Sequence, residues 1–289
     1  MLALAALAGQ TSLETPPYGA QGAEAAPDRA QQWLGPTPAS NRPAHAVLFR
    51  PQGDGPFRLA LIAHATSQNA LRRAQMPQPE YRALAAFLVA RGFAVLVPQR
   101  LGHGATGGNY LEEQGGCDEA DYARSAPATA EQITLALEFL RRQPFIRRDD
   151  AVIVGHSAGG WGTLALAGED PKAIAAIIAV APGRGGHADD VANKICAPQT
   201  LIAADQFGQG ARVPVTWLVA ENDTYFSPDF SRKLAEAFRA GGGKADFAML
   251  RALGSKGYWL VENETGVKLM ATELDRALRR ANIAGRKQQ

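Results

Sequence analysis

Four short apolar runs in this chain do not alternate with polar residues: LALIA at Leu59–Ala63, AVLV at Ala94–Val97, AVIV at Ala151–Val154 and AAIIAV at Ala175–Val180. A strand with one face in water alternates, whereas a strand covered on both faces reads as a continuous apolar run. Covering both faces requires crossover helices, so these runs point to a parallel sheet in an α/β layer architecture. The pattern predicts strands at His45–Arg50, Leu59–His64, Ala94–Pro98, Ala151–Val154, Ala175–Val180, Val215–Ala220 and Phe247–Leu250. Amphipathic helices are predicted between them. Glu80–Arg91 stops at Gly92, and Pro127–Arg142 opens on a proline and ends before Pro144. Pro228–Gly241 and Glu264–Ala281 supply two more. No composition break or internal repeat divides the series. The expectation is one doubly wound, mostly parallel α/β domain over residues 44–289 with helices on both faces.

Residues 1–43 read differently. Met1–Gly9, MLALAALAG, resembles the apolar core and small-residue end of a secretory signal, without its basic start. The other reading is a short apolar helix of the mature protein. Thr11–Pro43 is rich in Ala, Gln, Gly and Pro and is expected to be a loosely ordered lead-in. A signal implies export to a periplasm or the exterior; without one the chain stays in the cytoplasm. In an exported chain the sparse, even pair Cys117 and Cys196 suggests one disulfide, the alternative being two separate thiols. Neither has a second Cys or His at ligand spacing, so no metal site is expected. Lys plus Arg (30) nearly balance Asp plus Glu (28), which gives no electrostatic footprint for nucleic acid. No apolar run reaches the ~18 residues of a membrane-spanning helix.

The chemistry centres on Gly155-His156-Ser157-Ala158-Gly159, placed directly after the predicted strand AVIV and before a helical stretch. A nucleophilic serine in a tight strand-to-helix turn is exposed at the sheet's carboxyl edge. Glycines two residues to either side let strand and helix close around it, and the helix N-terminus turns N–H groups toward a developing oxyanion.

With this elbow, the His64-Ala65-Thr66 loop, the Pro98–Gly104 segment and the Ala220-Glu221-Asn222-Asp223 turn, the chain resembles the α/β-hydrolase superfamily in its dienelactone-hydrolase-like or esterase-like branch. The resemblance runs from about Ala44 to Ala281. It implies Ser157 as nucleophile, Asp223 as the acid that orients a base, with Glu221 as its competitor, and the backbone N–H groups of Thr66 and Ala158 as the oxyanion hole. Ala65 stands where this loop usually carries glycine.

In this fold a histidine follows the acid in chain order. Here no histidine occurs after His187, and in the Gly254-Ser255-Lys256-Gly257-Tyr258-Trp259 loop the histidine position holds Tyr258. A phenol with an ordinary pKa of about 10 is a poor acceptor of the serine proton at neutral pH. Either the site is an otherwise active one carrying a substitution, or the chain binds rather than turns over, or another base serves. For that last role His187 is the best candidate. His156 is expected to pack beneath the elbow, His64 and His45 to position loop and strand, and His103 to contact substrate. Trp161, Tyr225, Phe226 and Trp259 follow the three catalytic loops and are expected to line an acyl pocket. The reading is a serine hydrolase for a small carboxylic ester or related acyl compound, without metal or organic cofactor. Its rivals are a peptidase or amidase and a non-catalytic ligand-binding protein on the same scaffold.

Overall fold

The computed structural model describes residues 18–39, 41–168, 174–188, 191–192 and 195–286, with the backbone alone for residues 187, 188, 191, 192 and 281–286. The signal-like segment Met1–Gly9 lies outside the described residues.

The strands are β1 (Gly19–Ala25), β2 (Ala30–Gly35), β3 (Ala44–Phe49), β4 (Arg58–Ala63), β5 (Phe93–Pro98), β6 (Ala151–His156), β7 (Ile174–Val180), β8 (His187–Ala188), β9 (Val191–Ala192), β10 (Val215–Ala220) and β11 (Ala245–Leu250). The helices are α1 (Ala70–Ala74), α2 (Arg82–Val89), α3 (Tyr122–Arg141), α4 (Ala158–Gly168), α5 (Ala197–Gly210), α6 (Pro228–Ala240) and α7 (Glu264–Arg286). Among the described residues one sheet runs in the order β1-β2-β3-β5-β4-β6-β7-β10-β11, and β8 pairs with β9 in a separate ribbon. From β5 onward neighbouring strands are parallel, while β1, β2 and β3 join antiparallel at the edge.

The apolar runs divide residue by residue between two cores. Leu59, Leu61 and Ala63 of β4 face one side with Ile153, Ile177 and Trp217, against α3, α4, α5 and α6. Ala60 and Ile62 face the other with Val154, Ile178 and Leu218, against α2 and α7. Each such Leu or Ile contributes about 1.5–3 kcal/mol by leaving water, which is why these strands tolerate no polar residue on either face.

Besides the short elements α1, β8 and β9, the observed structure departs from the sequence expectation in three places. The edge strands β1 and β2 lie within the stretch read as a loosely ordered lead-in. Most residues of β1 are exposed and most of β2 half-buried, so the apolar signal was faint, and β2 pairs with both β1 and β3. Helix α3 starts at Tyr122 rather than at Pro127, because Asp121 caps it by accepting from the Arg124 N–H at 2.7 Å. Helix α5 was not anticipated; its buried face is largely small residues, Thr200, Ala203, Ala204 and Gly208, with Phe207.

Because the central strands are parallel, the turns after β4, β6, β10 and β11 all emerge at one edge, where a doubly wound sheet builds its crevice. Cys117 and Cys196 are joined by a disulfide, with Cα atoms 5.2 Å apart across 79 residues of sequence. It ties the loop between β5 and α3, which forms part of that crevice, to the start of α5. Replacing both cysteines by serine lowers unfolding free energy by about 2–5 kcal/mol, measured by denaturant titration beside the parent chain.

Candidate active site

Ser157 follows the last residue of β6 and precedes the first of α4, with φ +53°, a left-handed backbone that only a tightly packed turn holds. Its N–H donates to the Val180 carbonyl at 3.0 Å, and its carbonyl accepts from Trp161 N–H at 2.8 Å and Gly183 N–H at 3.2 Å. Two glycines make the turn possible. A Cβ on Gly155 would lie 2.6 Å from the Gly159 carbonyl oxygen, and one on Gly159 would lie 2.1 Å from that of Ala63. Strand, elbow and the loop after β4 therefore meet backbone to backbone. Ala158 opens α4, so its N–H is among those left free of intrahelical partners.

Ser157 lies on a cavity of about 980 Å³ together with Ala65, Thr66, Ala158, Tyr225 and Tyr258. Tyr258 sits on a short 3₁₀ turn after β11, buried, and its ring lies on the same cavity as Ser157. Its ring stacks on Tyr225 at 3.7 Å and meets Trp259 edge-on at 4.9 Å. Burial pushes the phenol well above its ordinary pKa, and the Ser157 hydroxyl beside it only partly offsets this. Tyr258 is therefore an uncharged phenol throughout the neutral range.

Asp223 lies in the turn after β10. One carboxylate oxygen accepts from Tyr225 N–H at 2.7 Å and from Phe226 N–H at 2.9 Å. The other, Oδ2, is buried with no hydrogen-bond partner. Burial raises the carboxyl from 3.8 to about 6, against the pull of those two N–H donors. Its charge is felt at the Tyr258 phenol. Glu221 is exposed and accepts from Ala252 N–H at 3.0 Å, a loop contact away from the cavity.

Other expected site residues divide. Tyr225 and Trp259 line the cavity. Trp161 does not: its indole is fully buried in the core against Phe207 and donates to the Tyr122 carbonyl. Phe226 is also buried, its ring closed over Gly183 and Gly186. His103 is buried behind the loop after β4, where its Nε2 meets the Thr66 hydroxyl at 2.5 Å instead of facing the cavity. Distance along the chain from the elbow says nothing about which way a ring points, and here the core claims those three.

His156 packs under the elbow as expected. Its Nε2 donates to the Tyr258 carbonyl at 3.1 Å, its Nδ1 accepts from the Tyr81 hydroxyl at 3.4 Å, and burial lowers its pKa to about 4. His187 opens β8, and its side chain falls outside the described part of the structure.

The cavity also has walls that the sequence did not disclose. Tyr81, in a left-handed conformation at φ +47°, accepts from Ala65 N–H at 3.1 Å. Arg184, almost wholly buried, donates to Gln114, Glu112 and Tyr110. The Gly183-Arg184-Gly185-Gly186 run after β7 was the available signal for Arg184; Tyr81 had none.

The raised Asp223 pKa carries a stability consequence. An acid whose folded pKa exceeds its unfolded value costs stability as pH rises between the two values, here from about 4 to about 6. Above that window the full penalty, on the order of 3 kcal/mol, is present. Asp223→Asn keeps the two accepted N–H bonds and removes the charge. It is expected to raise unfolding free energy by roughly 1–3 kcal/mol at pH 8, the gain vanishing below pH 4, as read by urea melts across pH.

Comparison with known proteins bears on the fold and the family. Among curated proteins none matches the chain by sequence. Solved structures share its fold: an esterase from Pyrococcus furiosus, Pf2001, aligns with TM-score 0.58 at 12% identity over 87% of this chain and 92% of its own. Est1E from Butyrivibrio proteoclasticus, solved with ferulic acid bound, aligns with TM-score 0.54 at 14% identity over 82% and 99%. A cold-adapted esterase from an Arctic intertidal metagenomic library gives TM-score 0.55 at 18% identity over 87% and 97%. At such identities the likeness speaks for the fold. The family model described as "Alpha/beta hydrolase family" matches residues 73–288, three quarters of the sequence, and the chain belongs to that family.

Proposed function

We propose that this chain is a serine hydrolase for carboxylic esters, built on Ser157 and Asp223, in which Tyr258 fills the place of the catalytic base and slows turnover. The observation that carries the reading is the cluster itself. A serine strained into the left-handed region lies on one cavity with Tyr258, whose phenol feels a carboxylate with one buried, partnerless oxygen. Such an oxygen is the acceptor an imidazole N–H would use at position 258.

Ser157 Oγ would attack the ester carbonyl, with the Thr66 and Ala158 N–H groups receiving the charge that develops on the carbonyl oxygen. The Ser157 proton has no effective acceptor in a neutral phenol, so both acylation and release of the acyl group by water are slow. Esters with stable leaving groups suffer least, because their alcohol departs without protonation. An amide's amine needs a proton on departure, which favours an ester over a peptide or amide substrate. Tyr225 and Trp259 supply an aromatic wall for the acyl or alcohol part. The disulfide supports export. Held in place by the stack on Tyr225, Tyr258 also favours a second reading, a protein that binds such compounds without turning them over.

Hydrolysis of a p-nitrophenyl ester by the parent, by Tyr258→His and by Tyr258→His with Ser157→Ala separates the two. The hydrolase reading expects Tyr258→His to raise kcat/KM by about 10²–10⁴-fold and Ser157→Ala to erase the gain. An unchanged rate in Tyr258→His leaves the binding protein as the better account.

A further inference from the structure

A set of buried groups behind the cavity takes no part in the chemistry described so far: His64, Arg73, Arg100, Glu112 and His103. Their hydrogen bonds converge on one feature, the carbonyl side of the loop from His64 to Gln68. Arg100 Nη1 donates to the His64 carbonyl at 2.8 Å. Arg73 Nη1 donates to the Ser67 and Gln68 carbonyls at 2.9 and 2.6 Å. His64 Nδ1 lies 2.5 Å from the Ala65 carbonyl oxygen. His103 meets the Thr66 hydroxyl, as described above.

The His64 contact decides the direction of one peptide. A trans peptide is planar, with its C=O and N–H pointing in opposite directions. The carbonyl of Ala65 and the N–H of Thr66 belong to the same unit. With the carbonyl drawn back to the buried ring, the Thr66 N–H is turned the other way, toward the cavity shared by Thr66, Ser157 and Ala158.

The ring partners fix which nitrogen carries the proton. The Ala65 oxygen can only accept, so Nδ1 must donate. The backbone N–H of Arg100 can only donate, and it points at Nε2 from 3.0 Å, so Nε2 must be bare. Arg100 is itself held through both carboxylate oxygens of Glu112, at 2.5 and 3.2 Å, and Glu112 is held in turn by Arg184 at 3.1 Å. Burial works to raise the Glu112 pKa, but the Arg100 and Arg184 charges override it and keep the carboxyl well below the usual range. Burial, with the Arg100 charge beside it, holds His64 neutral.

We infer that His64 is a positioning residue for the oxyanion hole: its Nδ1–H grips the Ala65 carbonyl and so aims the Thr66 N–H at Ser157, while Arg100 holds the ring in that tautomer. The inference rests on the hydrolase reading above. It also accounts for Ala65 in a loop where relatives are expected to carry glycine. The peptide is oriented by a side chain from the previous residue rather than by backbone freedom. Polarised by the imidazole, the same peptide becomes a stronger N–H donor to an oxyanion.

The test is the rate at which a fluorophosphonate, whose P=O oxygen occupies the oxyanion hole, modifies Ser157, followed by intact mass and peptide mapping. In His64→Ala the rate constant is expected to fall by about 10–100-fold, less than the ~10²–10³ for outright removal of a donor. Affinity for an ether analogue of the ester, which has no carbonyl oxygen to enter the hole and needs only the cavity, is expected to hold. His64→Asn, whose side-chain amide keeps a donor near the Nδ1 position, is expected to recover most of the rate. Equal labelling of parent and His64→Ala overturns the role of His64 and leaves the hydrolase reading standing. A chain that labels at Ser157 neither as the parent nor as Tyr258→His overturns that reading, and the role of His64 falls with it. If His64→Ala does not fold, nitrogen-15 NMR of the parent decides instead. Protonated Nδ1 with bare Nε2 on His64 supports the inference, and the opposite tautomer refutes it.

Discussion

The site depends on a contact with no side chain in it. Where the end of β4 passes the start of α4, the Ala63 carbonyl would lie 2.1 Å from a Cβ on Gly159, so strand and helix touch backbone to backbone. That closeness forces the chain between β6 and α4 into a turn so tight that Ser157 adopts a positive φ. It also brings the loop after β4 alongside the elbow, putting Thr66 and Ala158 on one cavity. The left-handed backbone at Ser157 is a local cost of order 1–3 kcal/mol, tolerated because the two cores on either side of the sheet over-determine the geometry.

Around that contact the molecule divides its charged groups into two kinds. Glu112 is buried and matched: Arg100 and Arg184 donate to it, and its carboxylate serves as a fixed anchor for the loop after β4. Asp223 is buried and unmatched, with two backbone donors on one oxygen and nothing on the other. Natural proteins seldom leave a buried carboxylate oxygen without a partner, and such exceptions cluster at functional sites. The neighbouring phenol of Tyr258 gives that oxygen no hydrogen bond, and its ring is locked by the stack on Tyr225. In the function proposed above, Ser157 is the nucleophile, Asp223 the acid and the Thr66 and Ala158 N–H groups the oxyanion donors, with a phenol in place of the base.

Much of this was legible in the sequence because period and position report backbone geometry. Strands β4, β5, β6 and β7 announced themselves as unbroken apolar runs, and the glycine spacing around Ser157 reported a packing constraint that admits little else. The Asp223 turn and the Tyr258 loop followed from their order along the chain. What sequence could not report is the direction of a ring. Trp161, Phe226 and His103 sit beside catalytic loops, yet the core and the loop after β4 take them. Nor could it report partnerships across long separations, such as Arg184 with Tyr110 or Tyr81 with His156, since nothing local names the partner. The edge strands β1 and β2 were obscured for a simpler reason: exposed or half-buried residues need no apolar periodicity.

Whether Ser157, Asp223 and position 258 form one catalytic unit can be read directly from the carboxyl carbon of Asp223 by NMR titration, in the parent chain and in Tyr258→His. With a phenol at 258 the carboxyl is expected to titrate at about 6. With an imidazole there, an N–H donor reaches Oδ2 and the carboxyl is expected to fall to or below the ordinary aspartate range. The same titration in both chains would mean that the side chain at 258 does not face Asp223, and the account of this site as a serine-hydrolase triad with its base replaced would be wrong.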